Sequence, residues 1–158
     1  MAKNITDGLS DIGQYVIEEL AKEIIKQDHS NTGKLIDSLD YNVNTANTSI
    51  DVYMNDYGRY VNTGRKRGAR KVPIQALVEW IKQRGIETNN KKALGIAFAI
   101  QKTIEKQGSP TVNSRKKGKR TEFVDDTIER ISNKVENMVA DVFEKEIEIQ
   151  LDNFVKRI

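Results

Sequence analysis

Apolar residues recur at three- and four-residue steps between Asp7 and Lys26. Leu9, Ile12, Val16, Leu20 and Ile24 fall on one side of a helix, and Glu18, Glu19, Lys22 and Glu23 largely on the other. Thr6, Asp7 and Ser10 are candidate N-caps, and the run Asp28-His29-Ser30-Asn31-Thr32-Gly33 breaks the pattern. Leu35, Ile36 and Leu39 predict a short apolar turn tucked under a sheet. The period then changes to two. Tyr41, Val43 and Thr45 alternate with asparagines, and Ile50, Val52 and Met54 alternate with Ser49, Asp51 and Tyr53, which predicts a hairpin turning at Ala46-Asn47.

Helical spacing returns at Pro73, a residue tolerated at a first helical position. Ile74, Leu77, Val78 and Ile81, with Trp80, predict a compact helix ending near Gly85. A second helix is expected over Lys91–Lys106, with Ala93, Ala97, Ile100 and Ile104 on one face, after a break at Asn89-Asn90 and before Gly108-Ser109-Pro110. From Val124 through Ile128, Ile131, Val135, Met138, Val142, Ile147, Leu151 and Phe154 to Ile158 the spacing stays helical. The piece EIEIQLD also alternates with period two, so a terminal strand is an alternative there. The pattern defines an α+β chain: a small antiparallel sheet packed with helices, plus a long C-terminal helix. It divides into a core over residues 1–112, a basic loop over 113–120 and the C-terminal helix over 121–158, as one structural unit.

Charge changes this picture more than composition does. The 158 residues carry a formal net charge of only +3. Residues 1–56 nevertheless hold four Lys/Arg against ten Asp/Glu, residues 57–120 seventeen against three, and residues 121–158 five against ten. A cationic middle between anionic ends fits either nucleic acid or the ends of a neighbouring copy. The modest total speaks against a histone-like compactor. There are no cysteines, so disulfides and thiolate metal sites are excluded. The longest apolar run, Ala93–Ile100, is far short of the ~20 residues that span a bilayer, and MAKNITDGLSD lacks a signal-peptide pattern. No membrane partner is expected, and the cytoplasm is the expected place of folding.

Signs of catalysis are few. His29 is the single histidine, which excludes a multi-histidine metal site, and it is expected to lie exposed in a polar turn. Asp125-Asp126 could take a divalent cation, but adjacent carboxylates at a helix start more often answer the helix dipole. No cofactor, no metal and no enzyme activity are expected. The stretch YGRYVNTGRKRGARKVP, Tyr57–Pro73, reads as a loop with six cations, three glycines and two tyrosines. Its glycines lack the spacing of a P-loop or a dinucleotide fingerprint. Arg59, Arg65, Lys66, Arg67, Arg70 and Lys71 could contact phosphates, or a partner's acids. Arg115, Lys116, Lys117, Lys119 and Arg120 form a second strip in a loop with little to bury. Nothing points to base-specific readout.

Four consecutive pieces carry a resemblance: TGKLIDSL, SIDVYMNDYGRYVNTGRKRG, VPIQALVEWIKQRGI and ALGIAFAIQKTIEKQGSPT. In this order they resemble the head–tail connector proteins of tailed bacteriophages, the tail-completion or neck proteins, over Thr32–Thr111. The resemblance implies an α+β fold without catalytic residues. It also implies a virion structural role at the head–tail junction, in a ring of six or twelve copies between portal-side connector and tail proteins, through which genomic double-stranded DNA passes. It places Tyr57–Pro73 in the loop between sheet and helix that reaches a neighbour. Non-specific DNA binding through residues 59–71 and 115–120 is the rival expectation.

Overall fold

The computed structural model of the chain describes residues 4–29, 32–111, 115 and 118–157. In chain order the elements are α1 (Ile5–Lys26), β1 (Asp40–Asn44), β2 (Ser49–Tyr53), α2 (Tyr57–Thr63), α3 (Ile74–Gln83), α4 (Asn90–Gln107) and α5 (Phe123–Val155). The chain is α+β, with a two-stranded antiparallel sheet and a long C-terminal helix. α5 runs unbroken through EIEIQLD, so the alternation there is not a strand.

The chain folds into two compact units that are not sequential. The first comprises Met1–Glu23, Ser38–Met54 and Val124–Ile158; the second comprises Ile24–Asp37 and Asn55–Phe123. Sequence charge sorts with this division. The first unit holds seven Lys/Arg against sixteen Asp/Glu, a net of −9, and the second nineteen against seven, a net of +12. They are called the acidic and the basic unit below.

In the acidic unit, Leu9, Ile12 and Leu20 of α1 and Ile131 of α5 are buried. The hairpin pairs Val43 with Ile50 and Tyr41 with Val52. Its turn is closed by Asn44, whose Oδ1 accepts from the amides of Ala46 at 3.1 Å and Asn47 at 3.3 Å. Tyr41 fixes the sheet to α1: its hydroxyl and Ser10 Oγ lie 2.7 Å apart, and its ring fills the space where Gly13 lacks a side chain. Glu19 and Glu23 are buried, not solvent-facing as the periodicity predicts. Arg130 of α5 explains this. It donates from Nη1 to Glu19 and approaches Glu23 at 4.0 Å, while Lys22 Nζ donates to Glu19 at 2.6 Å. These bonds, from Lys22 first and Arg130 second, hold the Glu19 carboxyl below its ordinary range.

In the basic unit, α3 and α4 bury Leu77, Val78 and Ile81 against Ala93 and Ala97. The alanines let the two helices approach closely. α3 begins directly after Pro73. Asn89 caps α4, its Oδ1 accepting from Lys91 N at 3.0 Å and Lys92 N at 3.2 Å. Leu35 is buried and belongs to this unit, not to the one holding the sheet.

Candidate functional site

The site starts from glycine. The segment expected to be one long loop opens with a helix, α2, which ends at Gly64 with φ 72°. Arg65 then pairs with Ser109: its N–H donates to Ser109 O at 2.7 Å, and Ser109 N–H returns to Arg65 O at 2.9 Å. Gly64 and Gly108, at φ 72° and 78°, flank this bridge. A Cβ on Gly64 would strike the carbonyl of Ser109, and one on Gly108 that of Arg65. Backbone cannot give way, so only glycine closes the two segments this tightly. Further ties add to it: Gly68 N–H donates to Glu105 O at 3.0 Å, Glu122 N–H to Asn62 O at 2.6 Å, and Lys71 pairs with Glu105 at 3.5 Å.

The consequence is convergence. Arg65, Lys66 and Arg67 of the first basic stretch and Arg115, Lys119 and Arg120 of the second line one open cavity of about 510 Å³, with Thr63, Gln107 and Ser109 among the other lining residues. Three cations of the first stretch are placed elsewhere. Arg70 contributes its carbonyl, which accepts from Arg65 Nη1 at 2.7 Å; Lys71 meets Glu105; Arg59 is exposed on α2. Lys116 and Lys117 lie outside the described residues.

The cavity's positive charge is only partly answered. Asp28 takes two arginines, Arg84 Nη1 on Oδ1 and Arg120 Nη2 on Oδ2, both at 2.9 Å. Their hydrogen bonds, Arg84's first, hold the Asp28 carboxyl below its ordinary value. Arg65 lies over the Tyr60 ring at 5.4 Å, and Lys119 meets Glu122 at 3.0 Å. His29 is half-buried, not exposed, with its ring 6.5 Å from that of Phe123. Burial, and then the positive charge of Arg120, lower its pKa.

Convergent guanidinium and ammonium groups on an open surface suit a polyanion, phosphate or carboxylate, held by charge-assisted hydrogen bonds. Asp125 and Asp126 stand in the first turn of α5, the place where carboxylates meet the helix dipole. Among the described residues no group of three His, Asp or Glu side chains is placed to hold a metal ion, and no helix is long and apolar enough to cross a membrane. Sequence reasoning missed Asp28, whose partners lie 56 and 92 residues away. Comparisons with protein-family models, with curated proteins and with solved structures found no match.

Proposed function

We propose that this protein is a structural, non-catalytic component of the head–tail junction of a tailed bacteriophage. In this reading it is a tail-completion or neck protein that assembles head to tail into a ring around the DNA channel, between portal-side connector and tail. The observation that carries the reading is the sorting of charge by fold: one chain holds a unit of net −9 and a unit of net +12. A ring needs two different, complementary surfaces on every copy, and opposite charge orients their meeting. The resemblance over Thr32–Thr111 supplies the biological setting. Deleting the gene tests it: the expected result is DNA-filled heads that fail to join tails. Normally joined, infectious particles would overturn it.

A second reading is favoured by the convergence of the two basic segments on one cavity, which suits the phosphates of duplex DNA. It predicts duplex binding that falls steeply with salt and weakens in Arg65→Ala/Lys66→Ala/Arg67→Ala. An absence of binding at low salt would remove it.

A further inference from the structure

α5 carries a second apolar face besides the one that builds the acidic unit. Val142 packs at Gly8 of α1, and Ile131 is buried. Phe143, Ile147, Leu151 and Phe154 repeat at four-, four- and three-residue steps on another side of the helix, and are 39%, 58%, 59% and 64% exposed. At 1.5 Å per residue this stripe is about 17 Å long. With about half of each side chain exposed, the row offers roughly 400 Å², about half of the ~800 Å² that each partner gives to a standard interface. Scattered exposed apolar residues need no explanation, but an aligned row does. The row is set in acid: residues 141–152 hold five Asp/Glu and one Lys, with Glu144 and Glu148 along one edge.

The basic unit shows a face of opposite character. On α4, Leu94 and Phe98 are 41% and 54% exposed, about 100° round the helix from the buried Ala93 and Ala97. Lys91 stands one turn before Leu94 and Lys102 one turn after Phe98. Between them Gly95 leaves open space, since a Cβ there would meet nothing within 4 Å. An incoming side chain has room to lodge between the two apolar residues.

We propose that the distal half of α5 docks by this stripe on the Leu94–Phe98 face of α4 in a second copy of the chain. This contact rests on the self-assembling reading above and names its surfaces. Charge selects the occupant. Parallel pairing of α5 with α5 would set Glu144 and Glu148 against the same carboxylates of the other copy, whereas α4 offers lysines at both ends of its apolar pair. The apolar row supplies attraction, and the charged rim sets direction.

The chain's lack of cysteine makes the test direct. Phe98→Cys and Leu151→Cys proteins, distinguishable by mass, are mixed and mildly oxidised, with Asn47→Cys on the exposed hairpin turn as control. The mixed disulfide between Phe98→Cys and Leu151→Cys is expected to exceed every other dimer at least tenfold. In sedimentation, Lys91→Glu/Lys102→Glu is expected to weaken association at least tenfold, and adding Glu144→Lys/Glu148→Lys to restore it. Dominant Leu151→Cys homodimers would overturn the proposal in favour of α5 self-pairing. A doubly substituted chain that closes only on itself would also overturn it, as would cross-linking no better than the control. Undiminished assembly without the mixed disulfide removes this contact and leaves the ring standing; a chain monomeric at every concentration removes both.

Discussion

The two units treat charge in opposite ways. In the acidic unit a part of the charge is turned inward: Glu19 and Glu23 are 6% and 3% exposed and answered by Arg130. The basic unit turns its charge outward, around an open cavity where Asp28 engages one of the six lining cations. Buried charge must be matched within the molecule, because an unpaired buried ion costs more than folding can spare. Exposed surplus has no such obligation and is left for a partner. Glu19 and Glu23 are thus structural, while the exposed charge of both units is what a partner can meet.

The largest test of this contrast removes the basic unit's support. Phe123 is fully buried, and Phe123→Ala is expected to cost about 3–5 kcal/mol. Trp80, the chain's single tryptophan, lies in that unit, so its fluorescence should report the loss directly. Next comes the bridge. Gly108→Ala combines a left-handed residue with a backbone collision at Arg65, and about 2–3 kcal/mol of local opening is expected. Hydrogen exchange at the Arg65 and Ser109 amides checks it. In the acidic unit, Arg130→Ala leaves Glu19 with Lys22 alone and should cost about 1–2 kcal/mol by thermal unfolding. Smallest is Lys66→Ala/Arg67→Ala, both exposed: stability should stay within ~0.5 kcal/mol while anion binding falls.

Acid should separate the units. His29 has a lowered pKa in the fold, so the folded state holds it neutral. Its contribution is complete above ~6.5 and is lost as pH falls from there through the folded value. Glu19 and Asp28 are also lowered, and their contributions are present above ~4 and lost below it. The Trp80 transition should therefore begin to weaken at a higher pH than the loss due to Glu19, and His29→Gln should remove that first step. An unchanged Trp80 profile in His29→Gln would show that His29 contributes nothing.

Much of this was legible in the sequence. Period-two alternation marked the hairpin near its true register, and the spacing of Leu77, Val78, Ile81, Ala93 and Ala97 marked the α3–α4 core. α2 was hidden because Gly58 within it, Gly64 at its end and a polar composition dilute its pattern, although Tyr57, Tyr60 and Val61 keep helical spacing. The burial of Glu19 was not readable, since Arg130 arrives from 111 residues away. The cationic residues were readable one by one. Their convergence was not, because it depends on the Arg65–Ser109 bridge, and nothing in glycine spacing alone distinguishes a bridge from a turn.

The central claim is that copies meet head to tail, with the opposite charge of their two units orienting and strengthening the contact. Sedimentation velocity of the full chain across a salt series tests it most directly. The account predicts one closed oligomer of fixed size at low salt, with an association constant that falls progressively as salt rises. A monomer at all salt concentrations, or an oligomer indifferent to salt, would contradict it.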